Sequence, residues 1–310
     1  MRRGRRGKSE TKVLKYLQIL PLRCIISTKM ALVFDEIGYW SEIKLDIINQ
    51  YAKAYSQILS NQILPNQRTL HHVYIDAFAG SGKHISRTTG DTVPGSPKIA
   101  LDITPPFKEY YFIDIDGDKL AELEKLTSNR LNAHVLQGDC NERLLNDVFP
   151  NIEYKDYKRA FCLLDPYGLD LKWAVMYKAG RMKSIEILLN FPVMDMNRNA
   201  LWTNPENVKP SLIKRMNSFW GDDSWQKAAY AQQLDFDGKI NLRKLRNEDI
   251  AFAFKKRLEE VAGFAYVSQP LPMRNSNNAV VYYLFHASQK PVAEKIIKDI
   301  FNKYRNWGIR

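Results

Sequence analysis

Residues 72–82 of the sequence read HVYIDAFAGSG and predict a buried strand that ends on Asp76 and continues directly into a glycine-rich loop. Gly80 and Gly82 let the backbone turn tightly and approach a ligand without interference from a Cβ atom. The loop does not match the phosphate-binding pattern G-x-x-x-x-G-K-[ST], because the first position is Ala77 and the last is His84. It also fails the dinucleotide pattern G-x-G-x-x-G, since Gly90 is out of place. A plain turn and a cofactor-binding loop both remain open from this segment alone.

Four more apolar runs predict strands at residues 109–114, 133–139, 160–165 and 184–190. Helix-length segments separate most of them, which is typical of βαβ units and a parallel sheet. Four of the five predicted strands have an aspartate at or just beyond the carboxyl end, namely Asp76, Asp114, Asp139 and Asp165. Open parallel sheets bind ligands outside these ends, so the four aspartates predict one common crevice.

The rest of the chain indicates which version of the α/β sheet this is. Residues 39–59 have the apolar spacing of an amphipathic helix, and helices are also predicted at 248–261 and 292–304. Strands at 264–268 and 280–285 form a closing pair. We therefore expect a Rossmann-like class I methyltransferase sheet, mostly parallel, with seven strands and a closing antiparallel pair. A helical insertion is expected at about 200–245, where three tryptophans lie among proline and Asn/Asp breaks.

The composition is that of an ordinary globular protein, with 45% hydrophobic and 26% charged residues among 310. Of the net charge of +12, +8 falls within the first 30 residues. Residues 1–29 are interpreted as a disordered basic tail or a start assigned upstream of Met30, and residues 30–310 as the methyltransferase domain. The remaining charge is mildly basic, so it permits a nucleic-acid partner without requiring one.

Several classes of protein are disfavoured by what the sequence contains. No run of about 18 apolar residues predicts a membrane span. Cys24, Cys140 and Cys162 are too few and too widely spaced for a disulfide framework or a zinc cluster, which favours reduced thiols in a cytoplasmic protein. His71 and His72 match no metal spacing and are expected at the surface, so no metal site is predicted.

The glycine loop and the next two strand ends together predict a site for S-adenosylmethionine. The loop, with Phe78, Gly80 and Gly82, suits the methionine and ribose portion, and Asp76 can accept from the α-ammonium group directly or through water. Asp114 ends the second strand, where a carboxylate hydrogen-bonds ribose hydroxyls in nucleotide-binding sheets. Asp116 is expected instead to cap the following helix.

Asp139, after the third strand, is expected to receive the adenine amino group, with helix capping as its alternative role. Asn190, after the fifth strand, either lines the same crevice or belongs to an ordinary strand-to-loop break. Ser96 and Pro97 predict a helix start, with Ser96 as the N-cap.

The fourth strand ends in Asp165-Pro166-Tyr167-Gly168, where a methyl acceptor is expected. Methyl transfer from a sulfonium mainly requires that a nucleophile be positioned against the methyl carbon. The Asp165 carboxylate and the Pro166 carbonyl can orient the N–H bonds of an amine, and Tyr167 can stack on a planar base. A simple strand-to-turn connection is the alternative. These three residues are the predicted catalytic residues.

In these motifs the chain resembles the bacterial three-Cys-motif partner proteins (TcmP), a methyltransferase-like family. The likeness runs from about Phe34 to the end and is carried by the 34–59 helix, the Asp76-x-Phe78-x-Gly80-x-Gly82 loop, Gly95-Ser96-Pro97, Phe112-Ile113-Asp114, Gly138-Asp139 and Leu164-Asp165-Pro166-Tyr167-Gly168. The resemblance implies a Rossmann-like methyltransferase fold and a partner protein that bears three cysteines.

Asp165-Pro166-Tyr167 is also similar to the Asp-Pro-Pro-Tyr signature of adenine-N6 methyltransferases that act on DNA and ribosomal RNA. This sequence lacks the second proline and adds Gly168. The leading hypothesis is an S-adenosylmethionine-dependent methyltransferase acting on a nucleic-acid base amine. The alternatives are a methyltransferase for a protein or small molecule, and a cofactor-binding partner subunit without independent catalysis.

Overall fold

The computed structural model of the chain describes residues 34–64, 69–234 and 240–305. The predicted basic tail, residues 1–29, lies outside the described residues. The strands are β1 (Asp35–Ile37), β2 (His71–Asp76), β3 (Lys83–Ser86), β4 (Thr92–Pro94), β5 (Glu109–Asp114), β6 (Ala133–Gln137), β7 (Lys158–Leu164), β8 (Ile185–Phe191), β9 (Tyr230–Leu234), β10 (Ile240–Lys244), β11 (Tyr266–Val267), β12 (Leu271–Arg274) and β13 (Val280–Ser288). The α-helices are α1 (Tyr39–Ser60), α2 (Ser96–Asp102), α3 (Gly117–Thr127), α4 (Cys140–Glu142), α5 (Trp173–Met182), α6 (Val193–Asn199), α7 (Pro210–Trp220), α8 (Trp225–Ala229), α9 (Asn247–Arg257) and α10 (Pro291–Tyr304).

The central sheet has the order β6-β5-β2-β7-β8-β13, with β11 and β12 both paired to the outer edge of β13. Five neighbouring strands, β6, β5, β2, β7 and β8, are mutually parallel, and β13 runs antiparallel to β8. This order, with its antiparallel closing strands, confirms the Rossmann-like class I methyltransferase sheet. The sheet has eight strands, one more than predicted, because two short strands share the edge where a single one was expected.

The register keeps the carboxyl ends of the central strands level. Asp76 pairs with Phe112 of β5 and Leu163 of β7, and Asp114 pairs with Gln137 of β6. The chain passes from β2 to β5 and β6 on one side and then returns to β7 on the other. The strand order therefore switches between β2 and β7, which is where parallel α/β sheets open their ligand crevice.

Two apolar layers cover the faces of the sheet, because alternate side chains of a strand point to opposite sides. In β2, Val73 and Ile75 belong to the layer that contains α5 and α9, whereas Tyr74 belongs to the layer that contains α1, α2 and α10. With both faces buried, the central strands are apolar throughout, as parallel strands require. Among the described residues, no helix combines the length and apolar character needed to cross a membrane.

Three local predictions differ from the structure. His72 is buried rather than at the surface, and its ring Nε2 lies 3.0 Å from Ser56 Oγ, which satisfies one polar atom inside the protein. Residues 88–106, where no strand was predicted, contain β4 as well as α2. The N-cap of α2 is Gly95, so Ser96 is already the first helical residue.

The insertion and the helix caps add detail. The region 200–245 contains α7 and α8, followed by a hairpin of β9 and β10 that the sequence did not indicate. Asp116 is confirmed as the N-cap of α3, since its carboxylate accepts from the backbone N–H groups of Asp118 (3.0 Å) and Lys119 (3.3 Å). Asn190 pairs with β13 inside β8, one residue before the strand ends.

The packing of β7 against α1 generates a stability prediction. Phe161 is fully buried, with ring centroids of Tyr51 at 5.0 Å and Tyr74 at 5.8 Å. Phe161→Ala is expected to lower the free energy of unfolding by about 3–5 kcal/mol, because it removes a buried ring and leaves a cavity. Urea denaturation followed by circular dichroism measures this. The matched change at the fully exposed Leu131, Leu131→Ala, should cost less than about 0.5 kcal/mol. Equal effects for the two variants would contradict the packing described.

Candidate functional site

Two adjoining cavities lie at the carboxyl ends of the parallel strands. The first, here called the α1 cavity, measures about 230 Å³ and lies between α1 and the loop after β2. The second, the β5–β6 cavity, measures about 200 Å³ and lies beyond the ends of β5 and β6. Phe78 and Tyr167 line both. Each alone is smaller than the ~300–1,000 Å³ typical of small-molecule sites, and together they fall within that range.

The glycine loop and the end of β5 are joined by one hydrogen bond. The backbone N–H of Gly80 donates to Asp114 Oδ2 at 2.8 Å, and the N–H of Asp116 donates to Oδ1 at 3.0 Å. Gly80 has φ +61°, and no atom lies within 4 Å of where a Cβ would stand. It lines the α1 cavity, while Asp114 lines the β5–β6 cavity. The carboxylate retains lone pairs for a ligand hydroxyl, because two of its roughly four acceptor positions are used.

Asp139 lies beside Asp114 and combines the two roles considered for it. It lines the β5–β6 cavity, and it also caps α4. Its Oδ1 accepts from the backbone N–H of Asn141 (2.7 Å) and from Asn141 Nδ2 (2.8 Å). Burial acts to raise the pKa of Asp139, but these hydrogen bonds outweigh it and hold the pKa below its ordinary value. Both bonds from Asn141 go to Oδ1, so Oδ2 retains acceptor positions for an amino group.

Asp76 lies beneath the loop and not in the cavity wall. It is fully buried, its Oδ1 accepts from the N–H of Phe78 at 3.3 Å, and Oδ2 has no hydrogen-bond partner among the described residues. Burial raises the pKa of Asp76 to about 7. Asp76 therefore supports the turn that carries Phe78 and Gly80.

Gly82 and Pro166 lie outside the linings of both cavities. Gly82 has φ +77°, a Cβ there would stand 2.9 Å from Leu126, and its carbonyl accepts from the N–H of Gly95. Gly82 thus packs the loop against α3 and α2. Pro166 is buried behind Asp165.

Asp165 lines the α1 cavity with both carboxylate oxygens engaged. Oδ2 forms an ion pair with Lys44 of α1, and Oδ1 accepts from Asn190 Nδ2 at 2.8 Å. The turn after Asp165 is held by Asp195, whose Oδ2 accepts from the N–H of Leu169 at 3.2 Å. A Cβ on Gly168 would stand 2.7 Å from the same oxygen, so a larger residue there would displace the Asp195 carboxylate.

A clamp made of Asp35, Lys119 and Tyr167 crosses the boundary between the two cavities. Lys119 Nζ lies 2.6 Å from Asp35 Oδ2, and the Tyr167 hydroxyl donates to the same oxygen at 3.1 Å. Burial acts to raise the pKa of Asp35, but the hydrogen bond and charge of Lys119 outweigh it, and the pKa is lowered. The Tyr167 residue remains 76% exposed.

Several cavity residues were not found from the sequence. Trp40, Lys44 and Ile48 lie four residues apart on one face of α1 and line the α1 cavity together with His84. A lysine between apolar positions at helical spacing was the available signal. Burial, followed by the charge of Lys44, lowers the pKa of His84, and its Nδ1 is buried without a partner among the described residues. Ile115 is 75% exposed and lines the β5–β6 cavity. No group of three or more His, Cys, Asp or Glu side chains in the described part of the chain is arranged to hold a metal ion.

Comparison with known proteins yields remote structural similarity only. No family model matches the sequence, and no curated protein matches it. The protein LPL1258 from Legionella pneumophila is 12% identical, with a TM-score of 0.46 over 85% of this chain and 92% of that chain. The N-terminal domain of EvdMO1 with S-adenosylhomocysteine bound is 12% identical, with a TM-score of 0.36 over 78% and 81%. The methyltransferase domain of the bacterial protein CtHen1 is 11% identical, with a TM-score of 0.37 over 78% and 99%. These scores are low, so the strand order given above carries the assignment of the fold.

The buried carboxyl of Asp76 predicts a pH dependence of stability. Its pKa is about 7 in the folded chain and near 3.8 when unfolded, so the folded state holds the extra proton between these values. The stability of the wild type should therefore fall as the pH rises from about 4 to 7, and then level off. Asp76→Asn has no carboxyl group at this position and therefore lacks this pH dependence. The free energy of unfolding of the variant, relative to that of the wild type, should rise by about 2–3 kcal/mol between pH 5 and pH 8.

Urea titrations at the two pH values measure the free energies of unfolding of both proteins. Asp102→Asn, at an exposed position of α2, is the matched control, and its free energy of unfolding should change with pH as that of the wild type does. Parallel curves for Asp76→Asn and wild type would show that Asp76 ionises at its ordinary pKa.

Proposed function

We propose that the chain is an S-adenosylmethionine-dependent methyltransferase whose cofactor lies across the two cavities. The observation that carries this proposal is the placement of Asp114 and Asp139 at consecutive strand ends, beside a loop whose Gly80 leaves open space in place of a side chain. The cavities also lie at the switch in strand order, where sheets of this class bind their ligands.

The β5–β6 cavity fits the adenosine portion of the cofactor. Asp114 keeps acceptor positions for ribose hydroxyls after holding the two backbone N–H groups of its own turn. Asp139 Oδ2 is available to the adenine amino group. Ile115 supplies an exposed apolar surface against which a planar base loses contact with water. Sites of this kind pair an apolar wall with a few placed polar groups.

The loop after β2 fits the methionine portion. Phe78 and Gly80 line the α1 cavity, and Asp76 supports their turn from below. A ligand ammonium group close to this turn favours the ionised form of Asp76, because an opposite charge nearby stabilises a carboxylate. When bound, the cofactor supplies an electrophilic methyl carbon, and Asp165 lies in the wall of the cavity where the acceptor is proposed to bind.

The identity of the acceptor remains a prediction of the sequence. A nucleic-acid base amine is favoured by the exposed ring of Tyr167, on which a base can stack. It is disfavoured by Asp165, because this carboxylate is already paired with the ammonium group of Lys44 and is also bonded by Asn190. A protein or small-molecule acceptor is equally compatible with the fold.

A cofactor-binding subunit that needs a partner is the second candidate function. It follows from the resemblance to three-Cys-motif partner proteins, which implies a partner bearing three cysteines. Such a subunit binds the cofactor but transfers no methyl group alone. Methyl transfer that appears only on addition of the partner would favour this function over an independent cytoplasmic enzyme.

The cofactor site is tested by titrating S-adenosylmethionine into the purified chain in a calorimeter. The wild type should bind, and Asp114→Asn should weaken binding by about 10–100-fold, since a hydrogen bond to a charged group contributes about 1.5–3 kcal/mol. Asp139→Asn should also weaken binding, because an amide presents one acceptor instead of two.

Asp102→Asn is again the control and should leave the affinity unchanged. Absence of binding by the wild type would overturn the proposed function. If both site variants fold normally by circular dichroism and bind with unchanged affinity, the cofactor does not bind in the β5–β6 cavity.

A further inference from the structure

The ammonium group of Lys44 lies in the α1 cavity, beside Asp165, where the methyl acceptor is proposed to bind. Lys44 extends from α1 into the α1 cavity, where its side chain is 11% exposed and paired with Asp165. Asp165 is in turn held by Asn190. The aspartate expected to orient an acceptor amine is thus occupied by a cation of the chain itself.

The other carboxylates of the α1 cavity are also engaged. Asp35 is bonded by Lys119 and by the Tyr167 hydroxyl, and Glu36 pairs with Arg87 at 3.4 Å. No carboxylate that lines this cavity is without a cationic partner among the described residues. A neutral amine, which needs acceptors for its N–H bonds, would have to share one of these carboxylates with a cation of the chain itself.

Lys44 by contrast has donors to spare. An ammonium group carries three N–H donors, and Asp165 is the one described group that accepts from it. The ring of Tyr282 faces the ammonium at 5.4 Å and takes no hydrogen bond from it. Lys44 therefore has unused N–H donors, and these suit an anionic oxygen of a ligand.

We propose that the methyl acceptor is a small organic carboxylate whose oxygen is bound by Lys44, with Asp165 and Asn190 positioning that lysine. This inference rests on the proposed function and names its substrate class. The new O–C bond takes a lone pair of the carboxylate oxygen, and the S–C bond breaks with its electron pair remaining on sulfur. The products are a methyl ester and a neutral thioether, so no proton has to be removed and no free base is needed.

The walls of the cavity indicate the rest of the acceptor. Trp40, Leu45 and Ile48 contribute apolar surface, and the acceptor shares the cavity of about 230 Å³ with the methionine portion proposed above. A compact aromatic or branched carbon skeleton fits these walls. Benzoate is therefore the probe, and benzamide and aniline are its neutral counterparts of similar shape.

The experiment titrates the three probes into the full chain saturated with S-adenosylhomocysteine, using calorimetry at neutral pH. Wild type should bind benzoate at least tenfold more tightly than benzamide or aniline. Lys44→Met should lose at least tenfold of the benzoate affinity. Asp165→Asn should keep or increase it, because the asparagine oxygen still accepts a hydrogen bond from Lys44 while the competing negative charge is removed. If the acceptor is an amine, the opposite result is expected: Asp165→Asn would lower the affinity for aniline, and Lys44→Met would raise it.

Lys98→Met is the matched control, since Lys98 forms an exposed ion pair with Asp102 outside the cavity. If Lys44→Met does not fold, Lys44→Met combined with Asp165→Asn removes both charges and should also lose benzoate affinity. Benzoate that fails to bind wild type, or that binds Lys44→Met as tightly, would overturn the inference while S-adenosylhomocysteine binding stands. Absence of S-adenosylhomocysteine binding counts against the proposed function instead, and benzoate titration of the unliganded variants then still reports on Lys44.

Discussion

The hydrogen bond from the Gly80 N–H to Asp114 Oδ2, 2.8 Å long, sets the geometry on which the candidate site depends. It joins the loop after β2 to the end of the neighbouring strand β5, and it requires the left-handed backbone of Gly80. Because this bond lies within the chain itself, the wall shared by the two cavities is held by the protein's own groups. Preorganisation of this kind lowers the cost of ordering a loop on binding. The buried carboxyl of Asp76 supports the same turn from below.

The parts of the site that belong to the parallel sheet were predictable from the sequence. Apolar runs are local signals, and a parallel sheet necessarily brings their carboxyl ends to one edge. Asp114, Asp139 and Asp165 were therefore placed together without knowledge of the fold, and each lines a cavity. Gly80 was predicted from the glycine-rich loop that directly follows the strand ending on Asp76. Whether these residues hold the cofactor is a matter for the titrations.

The parts that depend on packing across the edge of the sheet were not predictable. Lys44 meets Asp165 across 121 positions of sequence, and no local pattern indicates which face of α1 covers the strand ends. His72 was expected at the surface because it matched no metal spacing, whereas Ser56 of α1 provides a partner inside the protein. The strands β3 and β4 are short and polar, so they resembled a loop in the sequence.

The partly buried pair of Lys44 and Asp165 is better explained by positioning than by stability. Taking two charges out of water costs several kcal/mol for each ion in rough terms, and apolar residues of similar volume are often at least as stabilising. Stability alone would thus favour an apolar pair at this point of α1. A lysine held by Asp165 on one side and facing a cavity on the other keeps its ammonium in a fixed place. The sheet then carries the groups proposed for the cofactor, while the segment from β1 through α1 carries those proposed for the acceptor. Specificity for the acceptor can accordingly change through α1 without disturbing the bond between Gly80 and Asp114.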